Sequence, residues 1–311
     1  MRFAIMIEPQ QGMAYSDILA VARTAEDAGF EAFFRSDHYT SFPGEEGLPT
    51  TDAWATLAGL ARDTSRIRLG TLVSPMTFRI PGSLAKVIST VNDMSGGRVE
   101  AGVGAGWNAK EHGELGIQYP EDKVRVDILE ETLQLFRGLW DQPDGWTMDG
   151  THVKVAGSLL RPKGPRPPII VGGSGRPRSV RLAATYADEH NLSSATPSLA
   201  AEVNAKLDAA CEKAGRDPKT LVRSAMIGAL VGRNEADLKD RTMRQLATFG
   251  QDAAGDSWLD ERRDRWAIGL EDLARARVAA LADVGIERIM LQSFLPFDLD
   301  HFTLLGEIFL G

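Results

Sequence analysis

Short apolar runs alternate with longer segments of helical periodicity along most of the chain. Phe3 to Ile7 is an unbroken apolar run, the pattern of a strand covered on both faces. Ile18, Ala22, Ala25 and Ala28 follow at helical spacing, with Tyr15-Ser16-Asp17 as a cap and Gly29 as a stop. Glu31 to Arg35 predicts a second strand. Asp52 to Arg62 predicts a second helix through Trp54, Leu57 and Leu60, and Ile67 to Val73 a third strand. Pro81 stands where the third helix begins, a position that suits proline. Val99 to Val103 predicts strand four. Asp122 to Trp140 predicts the longest helix, with Leu129, Leu133, Phe136 and Trp140 on one stripe.

The rhythm breaks between Asp141 and Pro167. Trp146 to His152 reads as a hairpin turning at Asp149-Gly150, and the prolines at 162, 165, 167 and 168 mark a connector. Ile169 to Val171 then predicts strand five, Arg178 to Tyr186 a helix, Ala187 to Leu192 a strand and Ser198 to Ala214 a helix. Leu221 to Val231 predicts strand seven and Glu235 to Phe249 its helix. Leu270 to Val284 predicts the last main helix, Ile286 to Leu291 strand eight, and Phe302 to Phe309 a closing helix. Eight alternations predict one α/β domain over residues 1–311, a (β/α)8 TIM-type barrel with insertions after strands four and seven. The competing class, a doubly wound open sheet, usually opens with a glycine-rich turn. Glu8-Pro9-Gln10-Gln11-Gly12 has one glycine. The segment Gln251 to Trp266 carries a dense charge run flanked by Trp258 and Trp266. It reads either as a solvated extra helix or as a mobile lid.

Composition narrows the classes of function. With 43% hydrophobic and 25% charged residues, the chain is neither disordered nor collagen-like. A single cysteine, Cys211, excludes a disulfide framework and a multi-cysteine metal site. A net charge of −8 argues against a nucleic-acid groove or a polybasic membrane surface. No apolar run approaches the roughly 18 residues of a membrane span. Met1 to Ile7, followed by Glu8, is short for a signal peptide, so a cytoplasmic protein is expected. His112, His152, His190 and His301 are scattered, no set has metal-ligand spacing, and no metal site is expected. No G-x-S-x-G elbow is present, and Cys211 has no histidine near it in sequence.

In such a barrel the chemistry sits at the C-terminal strand ends. Strand two ends in Ser36-Asp37-His38-Tyr39, where an imidazole is placed to hydrogen-bond or move a proton near neutral pH. Successive strand residues face opposite ways, so Asp37 and His38 need not both reach a ligand. After strand three, the run from Gly70 to Arg79 is apolar, then hydroxylated, then cationic. A buried strand accounts for Leu72 and Val73 better than for Thr77 and Arg79. Strand four ends in Gly102-Val103-Gly104-Ala105-Gly106-Trp107-Asn108, whose glycines let a flat ligand approach the backbone. Strand five ends in Gly172-Gly173-Ser174-Gly175-Arg176 before a helix, a good anion site without P-loop spacing.

Taken in this order, these motifs resemble the bacterial-luciferase-like flavin and deazaflavin oxidoreductases. Gly97-Arg98-Val99 adds to the likeness, which covers nearly the whole chain. The resemblance implies a flavin-like ring lying across the strand ends. The Ser36-Asp37-His38 triplet is more similar to the branch that uses coenzyme F420, a deazaflavin. That branch also implies a non-prolyl cis peptide at Leu72-Val73. The cofactor-binding residues it implies are Asp37, His38, Leu72, Val73, Ser74, Gly104, Ala105, Gly106, Trp107, Asn108, Gly172, Gly173, Ser174, Gly175 and Arg176. The chain departs from the branch's sugar-phosphate dehydrogenases, which carry glutamate where it has Trp107 and tryptophan where it has Phe42. Trp107-Asn108 also resembles FMN monooxygenases. The expected activity is hydride transfer between F420 and a small organic substrate, with His38 catalytic and Asp37 orienting the site. An FMN-dependent two-component monooxygenase and a non-catalytic flavin-binding relative are the alternatives. A homodimer is expected from the resemblance alone.

Overall fold

The computed structural model describes residues 1–251 and 255–311. The first half of the chain builds β1 (Arg2–Ile7), α1 (Tyr15–Asp27), β2 (Ala32–Arg35), α2 (Ala53–Asp63), β3 (Arg68–Thr71), β4 (Ser74–Pro75), α3 (Pro81–Met94), β5 (Val99–Gly104), α4 (Ala109–Glu114) and α5 (Asp122–Asp141). A hairpin follows, β6 (Trp146–Asp149) and β7 (Lys154–Ser158). Then come β8 (Ile169–Gly173), α6 (Pro177–Tyr186), β9 (Glu189–Ser193), α7 (Pro197–Lys213), β10 (Val222–Val231) and α8 (Glu235–Thr248). The last elements are α9 (Gly255–Asp260), β11 (Ala267–Gly269), α10 (Glu271–Ala282), β12 (Arg288–Ser293) and α11 (Leu299–Leu310).

Eight parallel strands close into a barrel. The ring runs β1, β2, β3, β5, β8, β9, β10 and β12, and β12 pairs back onto β1. Ile5 sits opposite Leu291 on one side and Phe33 on the other. Side chains alternate between the two faces. Ala4, Met6, Ala32, Phe34, Ile170 and Met290 fill the barrel, while Phe3, Ile5, Ile7 and Phe33 pack outward against the helices. That is why the strands read as continuous apolar runs. Arg288 closes the N-terminal part of the interior, donating to Glu100 (2.7 Å) and Glu189 (3.0 Å). Burial penalises the Glu100 charge, but Arg288 and Arg68 outweigh it and hold its carboxyl below the ordinary range. The wide opening is therefore at the other end.

The barrel with two insertions matches the expectation. Its details differ in three places. The apolar run predicted as one third strand is two: β3 stops at Thr71, the Leu72–Val73 peptide is cis, and β4 resumes beside β5, with Ser74 opposite Val103. Leu72 and Val73 are apolar because they pack with the barrel-filling cluster, not because they extend the strand. The hairpin turn is wider than an Asp149-Gly150 turn. Glu131 on α5 accepts the N–H groups of Thr151, His152 and Val153, and the second strand begins at Lys154. The described residues of the charged 251–266 segment are not a uniformly solvated helix. α9 is short, and its Trp258 (4% exposed) and Leu259 pack on Leu230, Leu246, Ile268 and Leu295. Residues 252–254 of that segment lie outside the described residues. No helix among the described residues is long and apolar enough to cross a membrane.

Candidate active site

A cavity of about 1610 Å³ opens at the C-terminal ends of the barrel strands. The residue after each strand decides what faces it. β2 ends at Arg35, and the next residues alternate as the strand did. Asp37 turns away and is 1% exposed, whereas His38 turns in and lines the cavity.

Glu111 holds His38. This residue of α4 is 1% exposed, and its carboxylate takes His38 Nδ1 at 2.9 Å and the backbone N–H of Tyr39 at 2.9 Å. A carboxylate acceptor requires the proton on Nδ1, so the Nε2 edge is left for other partners. Phe42 and Trp107 meet the imidazole edge-on, with ring centroids at 4.6 and 5.8 Å. Trp107 is 65% exposed at the cavity mouth.

Asp37 and Ser74 lie behind this surface and do not reach the cavity wall. Arg79 donates to both Asp37 oxygens (2.6 and 3.1 Å) and also to Asp52. Ser74 Oγ donates to Asp37 (2.6 Å) and accepts from Trp54 Nε1 (2.9 Å). Burial opposes the Arg79 charge, but Asp37 and Asp52 outweigh it and raise its pKa. The network ties β2, α2 and the β4 segment together under His38. It also accounts for Arg79. Thr77 is accounted for by His112, whose Nε2 lies 2.7 Å from its hydroxyl while Nδ1 donates to the Asn108 carbonyl (2.6 Å).

One flank of the cavity is a flat wall. A Cβ on Gly104 would come within 2.7 Å of Val73, and one on Gly172 within 2.8 Å, so only glycine lets the Val73 side chain lie across both strand ends. Leu72, Ala105, Gly106, Gly173, Ser174 and Arg176 also line the cavity. Asn108 instead caps α4, accepting from Lys110 N–H at 3.1 Å. Gly175 is buried at φ +77°, and a Cβ there would strike Val203. A Cβ on Gly173 would point at Ser179 Oγ (2.9 Å), so this glycine sets the packing of the loop on α6. Beneath the loop lies His190, buried, its Nε2 without a hydrogen-bond partner among the described residues. Burial, with the Arg223 charge, pushes its pKa down to about 4.

Sequence reasoning missed the polar floor. Glu8, after β1, accepts from the side-chain amides of Gln10 (2.8 Å) and Gln292, and Ser36 Oγ donates to Gln10 (2.7 Å). Their signal was available, since each stands at or just past a strand end. Glu111 was hidden by its local pattern: Asn108-x-x-Glu111 reads as a helix cap, but the carboxylate reaches across to His38 instead. The aromatic group Phe249, Trp258, Trp266 and Phe294, with Arg262, completes the lining. Among the described residues no cluster of three or more histidine, cysteine, aspartate or glutamate side chains is placed to hold a metal ion.

Residues 1–294 match the family described as luciferase-like monooxygenase. The chain belongs to that family. It is 35% identical over 186 residues to an uncharacterized protein of Mycobacterium tuberculosis, covering 54% of this chain and 64% of the relative. It is 34% identical over 207 residues to an F420-dependent glucose-6-phosphate dehydrogenase of Microbacterium testaceum, covering 65% of this chain and 60% of that one. The match thus spans less than two thirds of these relatives' length. Among solved structures, an F420-dependent secondary alcohol dehydrogenase bound to an F420-acetone adduct superposes with a TM-score of 0.82. It is 20% identical, and 99% of this chain and 98% of that one are covered. At that identity the likeness bears on the fold.

Proposed function

We propose that this chain is an oxidoreductase that transfers a hydride between coenzyme F420 and a small organic substrate. The observation that carries the reading is His38, a cavity-lining imidazole clamped by a buried carboxylate beside the flat wall of Val73, Gly104 and Gly172. The wall suits a planar ring: its Cβ-free strand ends leave a surface that any larger residue would fill. When bound, the deazaflavin supplies or receives the hydride.

The chain's own residues do the rest. His38 Nε2 gives or takes a proton, or hydrogen-bonds a substrate oxygen whose charge changes. Glu111 fixes the ring and its tautomer. Asp37, Ser74 and Arg79 hold the strand end that carries His38, acting from behind. Gly173, Ser174 and Arg176, at the end of β8 and in the turn before α6, would hold the cofactor phosphate through backbone N–H groups, a hydroxyl and a guanidinium. Phe42 and Trp107 keep water from the imidazole. The identity to the F420-dependent relative above supports a deazaflavin. Trp107-Asn108 favours the second reading, an FMN-dependent two-component monooxygenase. The cavity exceeds the ~300–1,000 Å³ of usual small-molecule sites and leaves room beside a cofactor, which weighs against a non-catalytic binding protein.

The test is His38→Ala, assayed with reduced F420 and cyclohexenone as a surrogate activated alkene. F420 affinity stays within a few-fold, and turnover falls by roughly 100-fold. A folded variant that binds F420 and turns over at the wild-type rate contradicts the role.

A further inference from the structure

The other flank of the cavity, at the ends of β10 and β12, is built differently from the His38 flank. Gly228 on β10 carries no side chain where a Cβ would come within 2.0 Å of the Trp266 ring, so the indole lies directly on the strand. Trp266 stacks on Phe294 (5.4 Å, 8°) and meets Trp258 edge-on (5.3 Å, 89°). Phe249 closes the group at 5.0 Å from Phe294. Over this group sits one cation. The Arg262 guanidinium lies 4.1 Å above the Trp258 ring, and its Nη1 donates to the Trp258 carbonyl (2.9 Å). Among the described residues its carboxylate partner is Glu261, at 3.3 Å and largely in solvent. Among the described residues, Arg262 Nε and Nη2 have no hydrogen-bond partner.

We propose that this flank is the substrate site, and that the substrate is an apolar, ring-bearing molecule with a carboxylate that Arg262 holds. The proposal rests on the oxidoreductase reading of the same cavity. Stacked and edge-on aromatic rings suit a flat apolar body. A guanidinium clamped on an indole, its Nε–Nη2 edge unpaired among the described residues, is a preformed fork for a planar carboxylate. The remaining cationic side chains that line the cavity, Lys123, Arg125, Arg176 and Arg178, belong to α5 and the start of α6. A phosphate dianion on this flank would therefore meet a single cation. Glu8, on the floor, is a carboxylate that disfavours an anion beside it.

The experiment is calorimetric titration of cinnamate, methyl cinnamate and glucose 6-phosphate into the F420-loaded protein and its Arg262→Ala and Arg262→Lys variants. Cinnamate binds the wild type more tightly than glucose 6-phosphate does. Arg262→Ala weakens cinnamate by about tenfold or more, the loss expected of one charge-assisted hydrogen bond. Methyl cinnamate changes by less than about threefold, and Arg262→Lys, which keeps the charge without the fork, falls between. Unchanged cinnamate affinity in a folded Arg262→Ala protein, equal losses for acid and ester, no binding of either, or preference for glucose 6-phosphate overturns the proposal. The loading step is read separately. A folded wild type that takes up no F420 refutes the F420-dependent reading, and cinnamate titrated into the cofactor-free protein then decides the pocket on its own.

Discussion

In the proposed mechanism His38 takes its orientation from its neighbours. An imidazole free to rotate presents either nitrogen to a substrate. Here Nδ1 is committed to Glu111, and Tyr39 N–H holds the carboxylate from a second side. Glu111→Gln keeps an acceptor of similar shape but removes the charge. We expect turnover to fall by about tenfold with cofactor affinity within a few-fold, and Glu111→Ala to fall further, because a positioned general acid–base is worth roughly 10²–10⁴ in rate. Steady-state kinetics on both variants check this. Equal activity in wild type and Glu111→Ala would leave the pair without a role. Part of this arrangement was legible in the sequence. Strand alternation separates Asp37 from His38, and the structure keeps them on opposite sides, with Asp37 spent on Arg79 and Ser74. Glu111 was not legible, because its contact spans 73 residues and its local context imitates a cap.

At the scale of elements, the periodic segments were readable and the short ones were not. Long amphipathic helices such as α5 bury a stripe, and a stripe leaves a period in the sequence. α4 and β11, at six and three residues, are too short to show a period, and tertiary contacts fix them instead. The break after β3 was invisible to hydropathy because Leu72 and Val73 stay apolar for a different neighbour. The charge run near α9 drew the eye to solvent, whereas Trp258 and Trp266 do the packing. If residues 255–266 close over bound ligands, their amides exchange faster than those of β10 in the free protein. They then slow when cofactor and substrate are both present. Hydrogen exchange read by mass spectrometry checks this. The same rates in both states would make the segment a fixed wall.

At the scale of the whole molecule, the barrel converts chain order into a site. Each strand delivers one or two residues to the same rim, so Glu8, His38, Val73, Gly104, Gly172 and Gln292 meet although they span most of the sequence. Closure requires β12 to pair with β1, and the Arg288 cluster of Glu100 and Glu189 joins β12, β5 and β9 across the interior beneath the cavity. Counting strands predicted this architecture. It did not predict that the rim divides into a flat glycine–valine flank and an aromatic flank, because that division depends on which loops fold back over it. The central claim is that the flat flank receives a deazaflavin. Titrating F420 and FMN separately against the intrinsic tryptophan fluorescence tests it most directly, since Trp107, Trp258 and Trp266 are near or within the cavity lining. The account predicts saturable quenching by F420 at far lower concentration than by FMN. Tight binding of FMN with none of F420 would contradict it.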